Sequence, residues 1–276
     1  LLFMYAVYSA MGYLLLTVCK AFRVRRWPAL FLAGAVYGML LEGVVVSTMY
    51  EEFPFQIHFT SLTWHAPLDV VVGWYLIQWV IRELSLRRVI WIAVCLGVFW
   101  GFWAVWPWWE QGAPLLPEHF AGFAWITTAV LVLAYWLLGW SNVATFIPVR
   151  GINWLLVGVL VFLFGVNILP RYPFALALLP VLLAMIYLAL RRNASLELAP
   201  DVLGSLEGSP RLANLLAVLL MPAVASSSYA LYFALGWRVP SNIIVYVLSS
   251  VLGVGLFIAS FVKLFGRGVC VAPVKI

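Results

Sequence analysis

The chain has 276 residues, of which 66% are hydrophobic and only 9% charged, with a mean hydropathy of +1.06. Soluble domains carry about 25% charged residues, so this composition excludes a water-facing exterior and predicts a surface that meets lipid. The net charge of +6 is scattered in short clusters between apolar runs, which excludes a nucleic-acid-binding patch and reads as a topology signal.

A membrane crossing needs roughly 20 apolar residues. Nine stretches meet that standard: about 1–19, 28–50, 64–82, 88–108, 119–139, 152–169, 173–190, 212–236 and 242–264. The first runs on to membrane length with no small-residue cleavage site behind it, and reads as a transmembrane helix instead of a signal peptide. The sixth and seventh are short, with only Pro170 to Pro173 between them; they form either a tight helical hairpin or a kinked pair that does not fully cross. Alternate connectors hold Lys20, Arg23, Arg25 and Arg26, then Arg82, Arg87 and Arg88, then Arg150, then Arg191, Arg192 and Arg211, then Lys263, Arg267 and Lys275. The opposite connectors hold only Arg171 and Arg238. Basic residues favour the cytoplasmic side. The expected fold is therefore an all-α polytopic bundle of about nine spans, N-terminus outside and C-terminus inside, in a bacterial inner membrane or a plasma membrane.

The only long polar segment is 191–211, where Leu196, Leu198, Val202, Leu203 and Leu206 suit a short interfacial helix. It divides the chain into a membrane bundle (1–190), a cytoplasmic loop (191–211), and two last spans with a short tail (212–276). Gly34-x3-Gly38 and Gly97-x3-Gly101 have the small-xxx-small spacing that lets helices approach closely. Cys19, Cys95 and Cys270 lack CxxC spacing and suggest neither a disulfide framework nor a metal site.

Ionisable groups inside apolar spans are costly and mark functional sites by default. Glu42 lies ~12 Å below the outer end of the second span, and Asp69 ~7 Å into the third. His65 and Asp69 are four apart and share a helical face, so the carboxylate can orient the imidazole and raise its basicity. The plainer reading makes Asp69 a first-turn acid and His65 an interfacial residue. For Glu42 the plainer reading is a protonated acid bonded to a Ser or a carbonyl of a neighbouring helix. Glu42, His65 and Asp69 are the candidate catalytic residues. Expected ligand contacts are Glu51, Glu52, His58, Trp64, Trp103, Trp106 and His119, which all fall towards the outer side. Between Glu51 and Thr63, Phe53, Phe55, Ile57 and Phe59 alternate with Pro54, Gln56, His58 and Thr60, a period of two that predicts an extended segment, either a lid over the spans that follow or a plain interfacial loop. No metal is expected, since nothing has HExxH or EF-hand spacing, and no P-loop, GxGxxG or GxSxG pattern names a cofactor or nucleophile.

Between residues 41 and 125, Glu42-Gly43, Phe53-Pro54-Phe55, Gly101-Phe102-Trp103, Gly112-Ala113-Pro114 and Phe120-Ala121-Gly122-Phe123 occur in an order that resembles the membrane carotenoid-hydratase family. The chain departs from that family at Val94-Cys95-Leu96-Gly97, where an acid is usual. The resemblance implies an apolar, polyene-sized ligand. The leading expectation is an outward-facing pocket between spans two and five for a lipid-like or isoprenoid ligand, with the three ionisable groups as anchors or acid/base catalysts. The alternatives are an accessory subunit of a larger membrane complex, binding lipid or pigment, and, third, a transporter. Expected partners are membrane lipids, a lipophilic small molecule and other membrane subunits, with no nucleic acid.

Overall fold

The computed structural model describes residues 2–196, 201–206 and 208–266. Among these residues all regular structure is helical. Eight helices are long and apolar enough to cross a membrane: Met4–Ala21, Trp27–Val45, Leu86–Glu110, Pro117–Leu138, Arg150–Ile168, Ala175–Ser195, Leu212–Ala234 and Ser241–Phe265. The ninth expected crossing, 64–82, is helical too but is wound differently. Phe59–Leu76 is a π-helix, and Ile77–Glu83 returns to α geometry. Thr60, Ser61, Thr63, His65 and Asp69 make this stretch more polar than the other eight. The short expected pair separates into two full-length helices joined by a turn at 169–174.

Two compact units are distinguished within the described residues. The first draws on residues up to Tyr75, Ala144–Ser205 and the chain from Ser249 onward; the second is Leu76–Val143 with Leu206–Leu248. At the centre of the first unit is the helix Trp27–Leu40, whose Pro28 needs no amide partner in the first turn. It buries nearly every residue from Pro28 to Met39, whereas most of the other long helices turn apolar side chains outward. Glycines explain its closeness to Phe59–Leu76. A methyl group on Gly34 would stand 2.9 Å from Ala66 Cα, and one on Gly38 would stand 2.8 Å from the Ser61 carbonyl oxygen. The expected small-residue seam is thus a backbone-to-backbone contact.

At the basic end of this unit, Asn193 Nδ2 donates to the carbonyls of Phe22 and Arg23 at 3.0 and 3.3 Å. Lys20 pairs with Asp201 at 3.3 Å. Among the described residues of the 191–211 segment, helix is confined to the end of Ala175–Leu196 and the single turn Gly204–Leu206. The preceding helix runs on to Leu196, and Val202 and Leu203 are buried, with the Val202 amide donating to the Val24 carbonyl. These two side chains find cover inside the protein and so do not need the lipid surface. Leu198 lies outside the described residues.

The second unit packs Leu86–Trp103 against Leu220–Ala234. A Cβ on Gly97 or Gly101 would meet the Met221 or Ala225 carbonyl oxygen at 2.7 Å. Pro117–Leu138 completes the core through Phe120, whose ring centroid lies 4.7 Å from that of Tyr229. Asn214 Nδ2 donates to the carbonyls of Ile81 and Leu84, satisfying the end of the helix Ile77–Glu83.

The 51–63 connector corrects the expectation of an extended segment. Residues 51–55 form turns, with the Phe55 amide donating to the Glu52 carbonyl, and the chain is helical from Gln56 onward. The alternation arises because Phe53 and Phe55 are exposed on the turns, while Ile57 and Phe59 already belong to helix.

Candidate functional site

The helix Trp27–Leu40 does not stop at Leu40 but widens into a π-turn, Leu41–Val45, closed by the Val46 amide donating to the Leu41 carbonyl at 3.0 Å. Glu42 is on this turn. Its binding partner comes from the second π segment, Phe59–Leu76, which carries His65 and Asp69. Such widened turns are uncommon and are frequent at functional sites. Gly38 sets the distance between the two segments, since its missing Cβ would fall 2.9 Å from His65 Cβ. Any larger residue would hold His65 away from Glu42.

Three ionisable side chains meet in a line. His65 Nε2 lies 2.6 Å from Glu42 Oε1, and His65 Nδ1 lies 2.6 Å from Asp69 Oδ2. The second carboxylate oxygen of Glu42 accepts a hydrogen bond from the Thr48 hydroxyl. The site is closed at one end and open at the other: side-chain exposure is 7% for His65, 12% for Glu42 and 40% for Asp69. Both ring nitrogens face carboxylate oxygen, so the two contacts need two protons. Either an imidazolium sits between two carboxylates, or a neutral ring accepts from one protonated carboxyl and donates to the other. The two arrangements hold the same number of protons, which can pass along the line without any heavy atom moving far.

The surroundings hold this line in place. The Tyr37 ring stands edge-on to His65 at 5.8 Å between centroids. Tyr8 and Tyr37 both lie within range of the Glu42 and Asp69 charges. Tyr50 is buried and donates to the Gly43 carbonyl at 2.8 Å, tying the π-turn to the segment after it. Beside Gly38, Ser61 is fully buried and its hydroxyl has no hydrogen-bond partner among the described residues.

An apolar cavity of about 360 Å³ opens in the same unit. Its walls come from the first helix (Ala6 to Leu14), from Val45 on the Glu42 turn, and from Leu156 to Asn167. The expected pocket lay among spans two to five; this cavity is lined by spans one, two and six.

The structure brings together Glu42, His65 and Asp69. Glu51 and Glu52 are exposed on turns, and Ser47 donates to Glu51 at 2.9 Å. His58 is half-buried at the start of the helical run, and burial lowers its pKa below the usual value of 6.5. Trp64 is half-buried one residue before His65. Trp103, Trp106 and His119 belong to the second unit, where Trp103 Nε1 donates to Asn242 at 3.3 Å and His119 is exposed. Among the described residues no three His, Cys, Asp or Glu side chains are placed to hold a metal ion; in the line of three, each carboxylate takes a different ring nitrogen. Thr48, Tyr8, Tyr37 and Asn167 were missed from sequence. Only Thr48, six residues after Glu42, offered a local signal, as a hydroxyl close to a membrane acid.

Compared with known proteins, the chain matches no family model, no curated protein and no solved structure. The likeness to carotenoid hydratases therefore rests on the residues quoted above alone.

Proposed function

We propose that this chain is a membrane enzyme acting on a lipid-like or isoprenoid compound, with Glu42, His65 and Asp69 as a proton-conducting acid/base group. The observation that carries the reading is the unbroken Glu42–His65–Asp69 line, covered at Glu42 and open at Asp69. A buried carboxyl pre-aligned on an imidazole gives or takes a proton in a site with little water, where each charge interaction counts for more. His65 passes the proton: Nδ1 accepts one from Asp69 as Nε2 releases one to Glu42, and the ring regains its starting charge. Thr48 holds the far oxygen of Glu42. The apolar cavity beside the Glu42 turn offers a place for the body of the compound. In this reading the chain crosses a bacterial inner or plasma membrane nine times, counting 64–82, with its N-terminus outside, so that Asp69 opens towards the outer face.

The test is purification from the native membrane in mild detergent, followed by intact-mass spectrometry and an organic extract, for the wild type and for Glu42→Gln, His65→Ala and Asp69→Asn. The expected result is a co-purifying lipophilic compound that accumulates unconverted in Glu42→Gln and His65→Ala. Ligand content and turnover unchanged in all three variants would overturn the reading.

A further inference from the structure

The cavity has a composition that selects its occupant. Of its eleven lining residues only Asn167 is polar, and none is ionisable. The lining follows the helix from Leu156 to Asn167, which at 1.5 Å per residue is ~16 Å, about half the ~30 Å hydrocarbon thickness of a bilayer. Asn167 sits on the third π-turn of this unit, Phe164–Ile168, and that turn packs against the Leu41–Val45 turn bearing Glu42. The polar end of the cavity and the acid/base group are therefore at the same end. Asn167 is exposed at this end of the cavity, and its side-chain amide offers both a donor and an acceptor. A carboxylate or phosphate placed here would find no counter-charge in the walls, and an unpaired charge in apolar surroundings is strongly disfavoured.

We infer that the cavity seats one single-chain lipophile by its tail, with an uncharged hydrogen-bonding end group, such as an alcohol or carbonyl, on the Asn167 amide next to the Glu42 turn. The inference deepens the acid/base reading, on which it rests for the claim that the polar end is the reacting end; occupancy of the cavity does not depend on that reading. Fatty acids and phospholipids would find no cation among the lining residues to pair with their charge. Plain alkanes lose their advantage to alcohols because only the latter satisfy Asn167.

Two photoactivatable long-chain primary alcohols test this on the purified full chain, one with its diazirine next to the hydroxyl and one with it at the chain end. Labelled residues are mapped by peptide mass spectrometry. The first probe is expected on Val45 and Phe164–Ile168, and the second on Leu156 to Leu160 and Ala10 to Leu14. Val159→Trp, at a position 45% exposed that tolerates bulk, is expected to cut labelling by both probes at least five-fold. Asn167→Leu is expected to abolish the preference for the alcohol over the matching alkane probe, and the matching carboxylic acid is expected to label poorly. Identical labelling sites for both alcohols, labelling indifferent to Val159→Trp, or an acid that labels as well as the alcohol would each overturn the inference. Glu42→Gln separates the two ideas. Normal labelling with lost turnover supports both. Failed labelling in the wild type alongside a Glu42-dependent turnover overturns the cavity inference alone.

Discussion

Replacing Gly38 with alanine tests the geometry of the site with a single methyl group. The new Cβ would stand 2.8 Å from the Ser61 carbonyl oxygen and 2.9 Å from both His65 Cβ and Ser61 Cα. None of these is the mobile end of a side chain, so the helix Trp27–Leu40 and the 59–76 segment must separate. Ordinary contact begins at 3.4 Å, which requires about 0.6 Å of movement beyond the 2.8 Å starting point. Added to the 2.6 Å between Glu42 and His65, that gives about 3.2 Å, beyond the 2.7–2.9 Å range of a charge-assisted hydrogen bond. Overpacking of this kind costs about 1–3 kcal/mol. The expected outcome is a lower unfolding temperature in detergent and a changed side-chain NMR signal from a labelled His65. Gly12→Ala serves as the control: it lies in the first helix with nothing within 4 Å of the new methyl, and is expected to be neutral or stabilising by about 0.4–1 kcal/mol. If Gly38→Ala matched Gly12→Ala in stability and left the His65 signal unchanged, the close approach would not be what aligns the three side chains.

His65→Ala strands the largely buried Glu42 and is expected to cost about 3–5 kcal/mol, measured by denaturation in detergent, whereas Glu42→Gln keeps polar contacts to His65 and Thr48 and costs less. Their double variant is expected to fall short of the sum by about 0.5–3 kcal/mol, the coupling typical of residues in one network. In the second unit, Gly101→Val puts a Cβ 2.7 Å from the Ala225 carbonyl oxygen and 2.8 Å from Ser228 Cβ and adds two methyls beyond it, and a drop in the yield of folded, monodisperse protein on size-exclusion chromatography is the outcome to look for. The Lys20–Asp201 pair is partly exposed, so Asp201→Asn is expected to shift stability by no more than about 1 kcal/mol. Burial lowers the pKa of His58, so protonation is taken up more readily by the unfolded chain; stability is therefore lost as pH falls below 6.5, and His58→Gln should reduce that loss in an acid titration.

Glu42, His65 and Asp69 were legible in the sequence because a charge in an apolar run has no bland surface to sit on. The pairing of His65 with Asp69 followed from their spacing of four. The pairing of Glu42 with His65, 23 positions apart, did not follow from any pattern, because it depends on Gly38 bringing two backbones together and on a π-turn re-aiming Glu42. Widened turns leave no period of their own in the hydrophobic pattern, which is why 41–45, 64–76 and 164–168 look like ordinary helix in the sequence. The reading of 51–63 as extended went wrong for a related reason: four aromatic and apolar residues at alternate positions mimic a strand when they span a turn and the beginning of a helix. The cavity was not legible at all. It depends on how the first helix meets Leu156 to Asn167, and every residue involved except Asn167 looks like lipid-facing surface. Of the remaining expected contacts, Trp103, Trp106 and His119 share only an expected depth with the site, and a shared depth says nothing about which unit a residue joins.

Tyr50 has a wider role than its bond to Gly43. Its ring also meets those of Tyr172 and Phe174 at 5.5 and 5.9 Å, and Phe53 meets Phe174 at 5.1 Å. Each such ring pair contributes about 0.5–1.5 kcal/mol beyond its burial. The turn at 169–174 and the turns at 51–55 are therefore fastened to each other, and through the Tyr50 hydroxyl to the backbone beneath Glu42. In mechanical terms they form one hasp. The reach between Glu42 and His65 is set from outside the site as well as from within it, and a pull on Phe174 would change the spacing of a pair it never touches.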